Sequence, residues 1–254
     1  MSIELKTKDE LAWMREAALA TFEVLELLER AVAPGISLEE LDAIARRETE
    51  ARGGICAFKG QYGFPKSICI SVNEQVVHGV PNKRKLVEGD LVKLDFGVIK
   101  HGFYGDSART VRVGKVSDEA SKLVDVTRDA LEAGIRAMVE GNRISDIGAA
   151  VQAFVDPHGF GIVRDYVGHG IGKKLHEEPQ VPNYGPALWS RGQANPRLRA
   201  GMVLAVEPMI NLGTHEVETL DDGWTVVTRD GKASAHWEHT IAITDGAPQV
   251  LTRP

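Results

Sequence analysis

The 254-residue sequence carries only two cysteines, Cys56 and Cys69. Two are too few for a disulfide framework, and their spacing is not CxxC, so both read as reduced thiols of a cytoplasmic protein. No apolar run approaches the roughly 20 residues of a membrane helix. The start, MSIELKTKDE, is acidic and lacks an apolar core, so it does not read as a signal peptide. Clustered cations are also missing. The densest basic stretch is Lys83-Arg84-Lys85 and the net charge is -6, which argues against nucleic acid as a partner and makes that stretch a solvated turn. There is no GxSxG elbow, no Walker loop and no GxGxxG. The glycines of GHGIG (Gly168, Gly170, Gly172) do not form a phosphate fingerprint.

What is present is an ordinary globular composition, 43% hydrophobic and 26% charged, enough for one large domain or two small ones. Thr7 and Glu10 have capping-box spacing ahead of an apolar stripe of Leu11, Met14, Ala18, Leu25 and Leu28, and Pro34-Gly35 stops that helix. Ser37 and Glu40 open a second helix, ending near Gly53-Gly54. Strand-like stretches follow at 67–72, 91–99 and 108–113. The order then repeats. Ser117-Asp118 opens a helix to about Met138, and Ser145-Asp146 opens another that Pro157-His158-Gly159 closes. Strands are expected at 161–167, 202–210, 224–228 and 239–244. A finer echo supports duplication: Gly89 lies six residues before Asp95, and Gly201 six before Glu207, each across an apolar run. Two similar halves, about 8–113 and 117–245, would pair their sheets in a single 1–254 domain and cover one face with four helices. The stretch 182–199 reads as a long surface loop.

Asp95 stands in an apolar strand, where an acid is costly to bury unless it is paired or binds a metal. Asp106 follows eleven residues later, a gap that fits a hairpin in which the two carboxylates face each other. A surface acid plus a turn acid explains that pair almost as well. His169 lies between glycines, which leave its ring free to face a cavity; a plain Gly-rich turn is the alternative. Glu207 and Glu238 sit at strand edges, where a solvated position is the alternative for each. As a set they say more. Four carboxylates packed without cations would repel strongly, whereas four carboxylates and one imidazole suit two divalent cations such as Mn, Fe, Co or Zn. His78 and His176 each precede a turn, and neither has an HExxH context. They read either as loop histidines or as groups that hydrogen-bond a substrate carbonyl or amide. His236 and His239, flanking Glu238 in an alternating strand, are expected to point away from it.

The stretches FKGQYGFPKSICISVNEQVVHGVP, LVKLDFGVIKHGFYGDSART, GHGIGKKLHEEPQVPNY, MVLAVEPMI and SAHWEHTI occur in that order. With them the chain resembles the type I methionine aminopeptidases along nearly its whole length. The resemblance implies an α+β pita-bread fold with a pseudo-twofold antiparallel sheet covered by four helices. It implies that Asp95 chelates one metal, that Asp106 and Glu238 bridge both, and that His169 and Glu207 hold the other. Glu207 would help take a proton from the attacking water, His176 would steady the oxyanion and His78 would contact the substrate amide. Phe58, Gln61, Phe64, Cys69 and Trp224 would line the methionine pocket, with Leu175 where relatives carry an aromatic. A monovalent cation, Na or K, would sit near Asn73 and Ser234. The partners would be nascent polypeptides beginning with Met, in a setting compatible with the ribosome, and the enzyme would be a monomer. The interval from His169 to Glu207 is a few residues longer than in compact relatives, with the extra length around 189–199. Two rivals remain: a prolidase or aminopeptidase P on the same fold, and a metal-free binding module.

Overall fold

The computed structural model describes residues 3–189 and 192–254. Met1 and Ser2 of the amino-terminal stretch, and Ser190 and Arg191 of the 182–199 loop, lie outside the described residues.

Helix α1 spans Lys8–Ala31 and α2 spans Leu38–Ala51. Both begin with the expected capping boxes, in which Thr7 with Glu10 and Ser37 with Glu40 satisfy otherwise orphaned helix-end donors. Helix α3 spans Asp118–Arg136 and takes Ser117 as its N-cap. Helix α4 spans Ile144–Val155 and starts earlier than Ser145-Asp146 suggests. Its cap is Arg143, whose backbone N–H donates to Asp146 Oδ2 at 2.7 Å, so the acid at the third helical position reaches back to the cap as a capping-box glutamate does.

The central element of the first half is the hairpin Leu91–Lys100 and Phe103–Arg112, antiparallel along its whole length. Cys69–Val72 and Ile55–Cys56 pair with the other edge of Leu91–Lys100. In the second half five antiparallel strands run in the order Gln249–Val250, His239–Ala242, Val203–Val206, Gly168–Gly170, Glu177–Val181. The expected strand at 161–167 shrinks to Gly161–Ile162, and 202–210 breaks at Glu207-Pro208 into Val203–Val206 and Met209–Asn211. Proline has no ladder donor, so a break there follows from its chemistry. The glycine echo is real: Gly89 (φ 95°) and Gly201 (φ 91°) both adopt the left-handed turn, and their N–H groups donate to Val113 O and Ile243 O at the ends of the returning strands.

The halves join along a polar seam. Ala108 and Glu238 exchange backbone bonds (Glu238 N to Ala108 O, 2.9 Å), Thr240 Oγ1 donates to Asp106 O at 2.7 Å, and Thr110 Oγ1 donates to His236 O at 2.8 Å. The 182–199 loop is better anchored than a surface loop. Leu198 is fully buried, and Trp189 Nε1 donates to Tyr184 O at 3.0 Å.

Alternation along the hairpin sets the site. Leu94, Phe96 and Val98 pack into the apolar core beneath α1 and α2, so Asp95 between them faces the other side. Gly105 likewise faces α1 and sends Asp106 away from it. A Cβ at Gly105 would lie 2.6 Å from the Ala18 backbone. Gly105→Ala therefore has to push α1 off the hairpin. A loss of about 1–3 kcal/mol is expected, read as a lower urea midpoint with unchanged slope. An unaltered midpoint contradicts this account of the packing.

Candidate metal centre

Asp95 and Asp106 do not sit directly opposite each other. Asp95 pairs with Ala108 and Asp106 with Gly97, so the two carboxylates meet on one face as diagonal neighbours. The second half supplies the rest from three strands. His239 pairs with Val206, so Glu238 and Glu207 leave adjacent strand ends side by side, and His169 pairs with Ala205 on the next strand. All five residues line one cavity of about 310 Å³.

The geometry is tight. One ligand atom each from Asp106, His169 and Glu238 lies within 4.8 Å of the others. His169 Nε2 is 3.5 Å from Glu207 Oε1 and 4.0 Å from Asp106 Oδ2. His169 Nδ1 lies 2.9 Å from Gly170 O. A carbonyl can only accept, so Nδ1 carries the proton and Nε2 presents its lone pair to the acids, which is the orientation of a metal ligand. Asp106 and Glu238 are buried, and Asp106 Oδ1 and Glu238 Oε1 have no hydrogen-bond partner among the described residues. Orphaned buried carboxylate oxygens are expensive unless a cation takes them, so the donor set fits divalent metal.

Electrostatics point the same way. Burial, and then the charge of neighbouring acids (Asp95 on Asp106, Asp95 and Asp106 on Glu207, Asp106, Glu207 and Asp95 on Glu238), hold Asp106, Glu207 and Glu238 well above the usual carboxylate range, and burial lifts Asp95 to about 7. Burial moves the imidazoles down: His169 to about 3, His78 to about 4, and His176 downward as well.

The expected pocket residues also gather here. Phe58, Gln61, Phe64, Cys69, Leu175 and Trp224 line the same cavity, with Phe64 edge-on to Trp224 at 5.2 Å. His78 and His176 border it too. The exposed His176 ring lies edge-on to His169 at 4.4 Å. Three neighbours escaped the sequence reading. Tyr62, at φ 50° between two glycines, stacks on His176 at 6.0 Å, and Tyr166 meets His78 edge-on at 5.4 Å. His236 is fully buried with Nε2 3.8 Å from Glu207 Oε2, so it turns toward the acids and not away from them as expected; residues two apart along a strand share a face. The Gly60 and Gly63 bracket was a legible sign of Tyr62; nothing local marked Tyr166. Asn73 and Ser234, expected beside a monovalent cation, turn their backbone carbonyls to the ammonium of Lys93, at 2.7 and 3.1 Å. Burial pulls Lys93 down to about 7, while the two carbonyl dipoles favour its charged form.

The sequence model of metallopeptidase family M24 matches residues 12–245. A methionine aminopeptidase of Clostridium perfringens is 50% identical over 250 residues, 98% of each chain. Methionine aminopeptidase 1 of Bacillus subtilis is 49% identical over 248 residues, again 98% of each. The crystal structure of a methionine aminopeptidase from Thermotoga maritima superposes with a TM-score of 0.95 at 40% identity, covering all of both chains. A prolidase from Pyrococcus furiosus shares the fold alone, with a TM-score of 0.77 at 20% identity over 98% of this chain and 65% of that one.

A pH dependence follows. Each raised carboxyl holds its proton more tightly folded than unfolded. Its contribution to stability is complete below its unfolded value (3.8 for Asp95) and is lost as pH climbs through the folded value, near 7 for Asp95. The lowered histidines act oppositely, but only between their folded values and the ordinary 6.5. Above neutrality, of these groups, only the carboxyls still change. Chelator-stripped protein is therefore expected to melt lower at about pH 8.5 than at about pH 7, with saturating Mn²⁺ removing the slope. Equal melting temperatures without metal count against the crowding.

Proposed function

The chain belongs to metallopeptidase family M24, and from that premise we infer that it is an aminopeptidase that removes the initiator methionine from nascent proteins. The observation that carries this reading is the meeting of four carboxylates and His169, drawn from both halves, beside an apolar recess in one cavity. The pita-bread architecture is the frame for it. Its two halves, about 8–113 and 117–245, act as one catalytic domain.

Asp95, Asp106, His169, Glu207 and Glu238 would hold two divalent cations. Asp106 and Glu238, the most buried of the acids, each keep an unpaired oxygen that a cation would satisfy. Such cations polarise a scissile carbonyl and lower the pKa of a water between them. Mn, Fe, Co and Zn all suit the donors, and supply in the cell selects among them.

The chain's own groups do the rest. Glu207, whose carboxyl burial and neighbouring charge give a raised proton affinity, accepts the proton of the attacking water. His176, whose pKa is lowered by desolvation on the side that borders the cavity, is neutral and offers an N–H to the oxyanion. His78, neutral for the same reason, contacts the substrate amide. Phe58, Phe64, Cys69 and Trp224 enclose the methionine side chain, and Gln61 sits at the mouth. The Cys69 thiol stays protonated because burial, then Asp95 and Asp106, raise its pKa, so it meets the thioether as a soft neutral wall. Tyr62 and Tyr166 narrow the approach, which favours a small second residue.

The substrate is the amino terminus of a nascent chain. We propose that the enzyme works in the cytoplasm, near the ribosome, as a monomer. No described helix is long and apolar enough to cross a membrane. A prolidase-like specificity has only the shared fold behind it, and a metal-free module has no use for the unpaired buried oxygens.

Two assays test the reading. With added Mn²⁺ or Co²⁺ the protein is expected to cleave Met-Gly-Ser and to leave Met-Arg-Ser and Xaa-Pro dipeptides nearly untouched. Preference for Xaa-Pro overturns the specificity. Asp106→Asn is expected to lose at least roughly 1,000-fold in kcat/KM, about 4 kcal/mol, while keeping its circular dichroism. Near-wild-type turnover in that variant removes Asp106 from the ligand set.

A further inference from the structure

Lys93 is fully buried, and no carboxylate among the described residues lies within 4.0 Å of its ammonium. Glu74 and Asp90 act on it only from beyond ion-pair range, and Asp90 is committed elsewhere: it pairs with Arg84 at 3.3 Å and accepts from Asn73 Nδ2 at 2.8 Å. A buried cation of this kind is costly unless oxygen dipoles replace its water. Two do. Nζ donates to Asn73 O, which ends a strand of the first half, and to Ser234 O, which opens a strand of the second.

Bonds other than the lysine's hold the cradle. Asn73 sits in the left-handed region at φ 54°, fixed there by its side chain, whose Oδ1 accepts from Leu91 N at 2.8 Å. Ser234 N donates to the same Asn73 carbonyl at 3.0 Å, and Ser234 Oγ donates to Ile210 O at 3.2 Å. Convergent, rigid backbone carbonyls from separate segments form a site for a hard monovalent cation. Lys93 reaches it from two residues before Asp95, on the same face of the hairpin, and Ser234 lies on the short strand that leads to Glu238. The clamp thus ties the strand that carries Asp95 to the segment that leads to Glu238.

We propose that the Lys93 ammonium is a tethered cation standing where a free alkali-metal ion would otherwise bind, so that this protein locks its two halves together without Na⁺ or K⁺. The inference does not depend on the catalysed reaction, and its readouts are separate from activity.

Melting temperature is measured in KCl, NaCl and choline chloride at equal ionic strength. The wild type is expected to melt identically in all three. Lys93→Ser opens the cradle. In choline it is expected to melt roughly 5 °C or more below wild type, and potassium or sodium is expected to restore most of the loss. Lys93→Met, similar in length but uncharged, is expected to melt low in every salt. Crystals of the wild type soaked in rubidium are expected to show no anomalous peak between Asn73 O and Ser234 O, and those of Lys93→Ser to show one. A rubidium peak or alkali-specific stabilisation in the wild type overturns the proposal, even if neither variant folds. So does a Lys93→Ser protein indifferent to salt, or a Lys93→Met protein as stable as wild type.

Discussion

Like charges that cannot escape one another govern this molecule. Asp95, Asp106, Glu207 and Glu238 are brought into one cavity and largely withdrawn from water. In that setting, ionisation of all four is prohibitive without positive charge among them, and their raised pKa values express that cost. The fold must hold them together against their repulsion, and the chemistry follows from what relieves it.

The architecture achieves this by dividing the task. Each half contributes a pair of acids from neighbouring strands, backed by an apolar core and two helices. The halves meet through backbone and hydroxyl bonds from Asp106, Ala108 and Thr110 to the segment His236–Thr240, so the seam runs directly beside the acids. Lys93 donates to Ser234 O across the same seam. A site assembled in this way has no flexible arm. Asp95, Asp106 and His169 lie within strands, and Glu207 and Glu238 directly flank strand ends. His169 has its ring orientation fixed by Gly170, which leaves a bare nitrogen facing the cavity.

Much of this was legible in the sequence because the signals are local. Both capping boxes, the Ser117 cap and the paired Gly89 and Gly201 turns depend on spacing along the chain, and each appears where spacing puts it. The five candidate ligands come together for a related reason: an acid in an apolar strand advertises an unpaid desolvation cost. What depends on contacts across the seam was hidden. The offset of Asp95 from Asp106 is a matter of register. His236 meets Glu207 because it pairs with Met209, two residues beyond that acid on the neighbouring strand. Lys93 looks like an ordinary strand lysine until the second half supplies Ser234. The start of α4 was misplaced because a serine beside an aspartate mimics a cap that Arg143 provides with its backbone alone.

The central claim is that these carboxyls hold protons in the metal-free protein and surrender them to cations. Its most direct test is proton release in weakly buffered solution near neutral pH as Mn²⁺ is added to chelator-stripped protein. The account predicts saturable binding that expels roughly one or more protons per chain. Tight manganese binding with no proton released, or no binding at all, contradicts it.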